Sequence, residues 1–221
     1  MDKLLEAYSG DKARGYDARR AQSKRWKREV AAMEDMLAAL GPATVLDCPF
    51  GTGRWIEQYE AIGASVTGVD LSQGMLDEAA AKIATLPTDR QSAYVLDCAS
   101  IFDLSPAPEP APALVVCIRF LNWVQFSDAE RALERLTALG SPAMVIGASL
   151  VPDDANPLRR LWYRLSLGLI NLRAGDRPQQ HVHPEAEFLA ILTRLGWRVT
   201  DRREIMRRNA RVNSFFRLER A

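Results

Sequence analysis

The chain has 221 residues, enough for one well-buried domain with an added lid and too few for two full-sized ones. Its 29 Lys and Arg against 28 Asp and Glu leave a formal net charge of +1, so no whole-molecule field draws it to phosphate backbones or anionic lipid, and nucleic acid is not an expected partner. Met1-Asp2-Lys3-Leu4-Leu5-Glu6 is charged where a secretion signal is apolar, and no apolar run reaches bilayer-spanning length; a cytoplasmic protein without a stable membrane anchor is expected.

In chain order, Asp17 to Leu40 carries Trp26, Val30, Met33, Leu37 and Leu40 at three- and four-residue steps, the stripe of an amphipathic helix. Gly41-Pro42 ends it. Short apolar runs then alternate with helical patterns. Ala43 to Asp47, Ser65 to Asp70, Ala93 to Asp97, Leu114 to Ile118 and Ala143 to Ala148 read as strands, and Arg54 to Ile62, Gln73 to Ala84 and Asp128 to Leu139 as helices. Parallel neighbours need crossovers and the crossovers are helices, so the class is α/β, a doubly wound, mostly parallel sheet. Ser105 to Pro112 is rich in Pro and Ala and reads as a surface connection. After Ser149 to His183 interrupts the alternation, a helix resumes over Pro184 to Leu195, and Trp197 to Glu204 with Arg211 to Glu219 read as an antiparallel hairpin at the sheet edge. The expectation is one domain over 1–221, with a helical cap at 1–40 and a lid at 149–183. Cys48, Cys98 and Cys117 lack CxxC spacing and sit in or beside strands; they read as reduced, buried thiols.

The strongest chemical signal is Val45-Leu46-Asp47-Cys48-Pro49-Phe50-Gly51-Thr52-Gly53-Arg54, a strand running into a glycine turn that opens a helix. Glycines let the backbone turn sharply and approach a ligand with no Cβ in the way. Asp47, Asp70 and Asp97 each end a predicted strand, and ligands of open parallel sheets bind at the carboxyl ends, so the three acids are expected to face one crevice. A nicotinamide-binding Rossmann domain is the rival reading, but position 56 is Ile56 where its fingerprint has a third glycine.

With these motifs the chain resembles the class I S-adenosylmethionine-dependent methyltransferases, in their small-molecule branch, whose glycine motif often reads Asp-x-Pro-x-Gly-Thr-Gly-Arg. The resemblance covers Ala43 to Ala148 well and the remainder loosely, and implies a seven-stranded Rossmann-like sheet with S-adenosyl-L-methionine as cofactor. It implies that Asp47 and the turn carrying Pro49, Gly51 and Gly53 hold the methionine end, that Asp70 binds both ribose hydroxyls, and that Asp97 meets the adenine amino group with Cys98 offering backbone contacts. Leu71-Ser72-Gln73-Gly74-Met75-Leu76 also matches the family: Ser72 caps the next helix, and Leu71 and Met75 belong to the adenosine pocket. Pro49 stands where the broader family prefers Gly, and Phe50 where the branch often has a small residue.

The fourth strand ends in Arg119, Phe120, Asn122 and Trp123, which in the family face both cofactor and acceptor; aromatic faces suit a sulfonium. Tyr16 and Arg19 are further candidates to touch the cofactor from the N-terminal cap. An oxygen acceptor calls for a base, and His181 and His183, just before Pro184, have the ordinary pKa for that task; the alternative is that His183 only caps a helix begun at Pro184. No other ligand completes a metal site around them, so no metal is expected. Leu158, Leu161, Trp162, Leu165, Leu169 and Leu172 share one helical face among Arg159, Arg160, Arg164 and Arg173, which fits a lid with Trp162 against the acceptor, an interfacial helix or a homodimer surface. The function expected is methylation of a small or medium-sized acceptor, oxygen favoured; a glycan, lipid or quinone acceptor, and a non-catalytic adenosyl-binding module, are the alternatives.

Overall fold

A computed structural model describes residues 23–105, 110–152, 180–208 and 210–221. Tyr16, Arg19, Trp162 and most of the predicted lid lie outside the described residues. Helix α1 (Lys24–Leu40) begins where the Ser23 hydroxyl accepts the N–H of Trp26 at 3.1 Å, and ends at Gly41, whose φ of 53° returns its N–H to the Leu37 carbonyl. Its buried face is Glu29, Ala32, Met33, Met36 and Leu37. That face is rotated from the predicted stripe, and Trp26, Val30 and Leu40 are only partly buried.

The elements that follow are β1 (Thr44–Asp47), α2 (Ile56–Ala61), β2 (Ser65–Asp70), α3 (Gln73–Ile83), α4 (Thr88–Gln91), β3 (Tyr94–Cys98), β4 (Leu114–Cys117), α5 (Phe126–Ala138), β5 (Ala143–Val151), β6 (His183–Pro184), α6 (Glu185–Arg194), β7 (Trp197–Arg208) and β8 (Arg211–Arg220). They form an α/β, doubly wound, mostly parallel sheet. Seven strands run in the order β3-β2-β1-β4-β5-β8-β7, and the short β6 pairs with β5 off this path. β1 to β5 are mutually parallel, while β8 is antiparallel to both β5 and β7. The predicted hairpin therefore has only β7 at the edge, with β8 inside the sheet. Ser149 to Val151, predicted to open the insertion, instead extend β5, where Leu150 pairs with Val212 and with His183.

Alternate residues of the central strands feed two cores. Leu46, Val115, Cys117, Met144 and Ile146 pack with Leu133, Leu136, Phe188 and Leu192 of α5 and α6. Val45, Val66, Leu114, Val116 and Val145 pack on the opposite face with Met33, Leu37, Tyr59 and Leu76 of α1, α2 and α3. Burial on both faces is why these strands read as unbroken apolar runs. Cys48 and Cys117 are buried free thiols, but Cys98 is exposed, contrary to expectation, because β3 is an edge strand. Among the described residues no helix is long and apolar enough to cross a membrane. The strand order reverses between β1 and β4, which puts a crevice beyond their carboxyl ends.

Candidate active site

A cavity of about 210 Å³ occupies that crevice, lined from the β1 turn, the ends of β2 and β4, the segment after β3, and α1. The turn is built around Asp70. Its Oδ2 accepts the Gly51 N–H and its Oδ1 the Ser72 N–H, each at 2.8 Å. Burial raises the Asp70 pKa, and these two backbone donors oppose the shift. Gly51 has φ 60° and a Cβ there would meet no protein atom within 4 Å, so the space beside this backbone is open. Gly53 has φ 66°, and a Cβ would fall 2.4 Å from Ile56 Cδ1; the side chain of Ile56 fills the place a third glycine would leave open. Phe50 is buried, its ring over Gly68 of β2.

Of the three strand-end aspartates only Asp70 lines the cavity. Asp47 is fully buried beside it, its Oδ2 accepting from the Tyr59 hydroxyl at 2.9 Å and its Oδ1 without a partner. Burial, opposed by the Tyr59 hydroxyl and reinforced by the charge of Asp70, pushes its pKa up to about 8. Asp97 is exposed and pairs in register with Val69, leaving Cys98 level with Asp70. Side chains alternate along a strand, so Asp97 leaves the sheet on the face opposite to Asp70. Ala99, Ser100 and Ile101 line the crevice where Asp97 was expected; Cys98 does not, and its Sγ donates to the Leu71 carbonyl. Pro49, Leu71, Met75, Arg119, Phe120, Asn122 and Trp123 do line it.

Neither histidine does. His183 is buried, stacked on Phe188 and tilted against Phe126, with Nε2 2.7 Å from the Leu121 carbonyl oxygen. A carbonyl only accepts, so Nε2 carries the proton, and burial lowers the pKa of this ring. It is a core residue, not a base facing the cleft. Nor does it cap α6, whose N-cap is Pro184 with no side-chain hydrogen bond. His181 is half-buried, lowered in pKa by burial, and donates its backbone N–H to the Asn122 carbonyl at 2.8 Å.

The feature that sequence reasoning missed is Glu29. From α1 it accepts Arg25 Nε on Oε1 at 2.8 Å, and Arg54 Nη1 at 2.5 Å and Arg119 Nη2 at 2.8 Å on Oε2. Burial pushes its carboxyl up, but Arg119, Arg54 and Arg25 together outweigh that and hold it below the usual range. Arg54 is also stacked between Trp26 and Trp55, 3.7 and 4.2 Å from the ring centroids. All three arginines line the cavity. The available signal was helical phase: Glu29 falls in step with Ala32, Met33 and Met36. Gln180 and Arg211 also reach the cavity, with Arg211 donating to Gln180 Oε1 at 2.7 Å and to Ser149 Oγ and Asn213 Oδ1 at 3.0 Å.

Residues 45–143 match the family model described as a methyltransferase domain. That span is similar to a methyltransferase domain, and the sheet has the Rossmann-like fold of the methyltransferases it superposes on. The matched span runs from β1 to the start of β5 and so contains the glycine turn, Asp70 and the end of β4. A curated relative, the ubiquinone biosynthesis O-methyltransferase of Nitrosomonas europaea, is 31% identical over 117 residues, covering 45% of this chain and 49% of that protein; the match spans about half the length of the relative. Among solved structures, magnesium protoporphyrin IX methyltransferase from Synechocystis, with bound cofactor, superposes with a TM-score of 0.70 at 17% identity, covering 100% of this chain and 98% of that one. The 1,6-didemethyltoxoflavin-N1-methyltransferase of Burkholderia thailandensis gives 0.67 at 18%, covering 100% and 86%. Likeness at that identity shows the fold.

S-adenosylmethionine is the cofactor that goes with this domain, and the residues present fit it. The cleft offers a buried carboxylate whose two oxygens are held in place by backbone donors, a turn without side chains beside it, and apolar walls from Leu71, Met75 and Ile101.

Proposed function

We propose that this chain transfers a methyl group from S-adenosylmethionine to a small organic acceptor, with oxygen as the accepting atom. The observation that carries the reading is Asp70, fixed by the Gly51 and Ser72 N–H groups at the mouth of the glycine turn. Its remaining lone pairs suit the paired hydroxyls of a ribose, since an ionised carboxylate only accepts. When bound, the cofactor supplies a methyl group on a positively charged sulfur. Leu71, Met75 and Ile101 would enclose the adenine, and the rings of Phe120 and Trp123 would border the sulfonium. Oxygen is favoured because the curated relative is an O-methyltransferase; His181 and His183, which do not line the cleft, add nothing to that preference. With neither histidine in the cleft, what the described residues contribute is alignment of donor and acceptor and exclusion of water, and an acceptor that brings an ionised oxygen fits best.

Calorimetric titration with S-adenosylhomocysteine, beside an Asp70→Ala variant and an NAD control, tests the reading. Micromolar binding that weakens about 100-fold in the variant is expected from the loss of two charge-assisted hydrogen bonds. Absence of binding by the intact, folded protein, or preferential binding of NAD, overturns it.

A further inference from the structure

We propose that the end of the cleft away from Asp70 is a subsite for a carboxylate carried by the acceptor, with Arg119 as its anchor. The inference rests on the methyltransferase reading and adds the chemical class of the acceptor.

Arg119 follows β4 with φ 65°, the one non-glycine with positive φ among the described residues. L-residues adopt that conformation at a cost, and such positions gather where a side chain has to be aimed. The side chain lines the cavity and is about one-fifth exposed. Only its Nη2 is used, on Glu29; Nε and Nη1 are buried without an acceptor. Glu29 does not serve Arg119 alone, because Arg25 and Arg54 share the same carboxylate. A second buried donor, Asn213 Nδ2, also lacks an acceptor, and Asn213, Asn122 and Arg119 border one small recess. Buried donors without acceptors call for a ligand that accepts. The apolar surroundings of Ile118, Phe120 and Trp123 suit an organic acid. S-adenosylmethionine carries a net positive charge, so beside this arginine cluster it is better accommodated when the acceptor brings a negative one. Its own carboxylate is the other source of the same chemistry, and the experiment separates the two.

The test uses the full chain saturated with S-adenosylhomocysteine and probes matched in shape, in which a neutral amide replaces the carboxylate: benzoate and benzamide, 4-hydroxybenzoate and 4-hydroxybenzamide, cinnamate and cinnamamide. Affinities are read by ligand-observed NMR titration. In at least one pair the carboxylate is expected to bind about 10-fold more tightly, as a charge-assisted hydrogen bond gives. In Arg119→Met the pair should become equal within about twofold while S-adenosylhomocysteine affinity stays within about threefold; Arg119→Lys should keep part of the preference. Equal binding in every pair, failure of every carboxylate to bind, or a preference untouched in Arg119→Met overturns the proposal. A loss of S-adenosylhomocysteine affinity of about 10-fold in Arg119→Met, with the probe preference kept, overturns it in favour of the cofactor's carboxylate. If neither variant folds, the wild-type comparison still overturns the proposal when every pair binds equally. Failure of the folded protein to bind S-adenosylhomocysteine at all strikes the methyltransferase reading instead.

Discussion

Asp47 and Asp70 end neighbouring strands, yet one is sealed beneath the turn and the other opens to the cleft. Burial holds the Asp47 carboxyl protonated up to about pH 8, against an ordinary value of 3.8. A folded-state pKa raised in this way gives stability that is complete below about pH 4 and is lost as pH rises toward 8, since the unfolded chain has already released the proton. Urea midpoints should therefore fall for the wild type between pH 5 and 8, and Asp47→Asn, which cannot ionise, should flatten that slope; an unchanged slope would mean that Asp47 is charged in the fold. His183 makes the complementary case. It stacks in the core on Phe188 with its Nε2 spent on Leu121, so His183→Ala should cost about 2–4 kcal/mol in denaturation and leave S-adenosylhomocysteine affinity of the folded protein within about twofold. The sequence displays Asp47, Asp70 and Asp97 as equivalent, and His181 with His183 as a pair, because residue type and strand position are visible there. The face on which each side chain leaves its strand depends on register with a neighbour, and register is not written locally.

At the scale of elements, the strands and most helices were legible because two-sided burial and helical periodicity leave strong patterns; β2 (Ser65–Asp70) has the predicted bounds. The phase of α1 is not legible, because Trp26 and Val30 look like core, whereas the buried face carries Glu29 and the Arg54 guanidinium occupies the ring of Trp26. Glu29 joins α1 to the β1 turn and the end of β4 at once. Glu29→Gln should destabilise by about 3 kcal/mol, because three guanidiniums lose their shared counter-charge; a loss under about 0.5 kcal/mol in urea would show the cluster to be well solvated. The β1 turn depends on β2 in the same way. A Cβ on Gly68 would stand 2.6 Å from the Phe50 ring, so Gly68→Ala should push that ring toward the cleft, costing about 1–3 kcal/mol and weakening S-adenosylhomocysteine binding, both measurable in one calorimetric series.

For the whole molecule, a ligand that binds only the folded state raises its stability by about 2.7 kcal/mol at 100 times its Kd. In a domain of this size each kcal/mol moves Tm by about 2–4 °C, so S-adenosylhomocysteine should raise Tm by roughly 5–11 °C and NAD should leave it unchanged. The sheet's class was legible from strand and helix alternation; the position of β8 was not. A hairpin is recognised from its two adjacent segments, and nothing in either says which of them meets the rest of the sheet. That position has a consequence for synthesis. β7 leaves the ribosome first, but among the described residues its one partner in the sheet is β8, and β8 must also close the open side of β5. Until residues 211–220 have emerged, the growing chain presents the backbone of β5 as an unpaired edge while β7 waits without a place to dock. At elongation rates of about 5–20 residues per second, the interval in which a chaperone or a second nascent chain can reach that edge is set by how soon β8 follows β5.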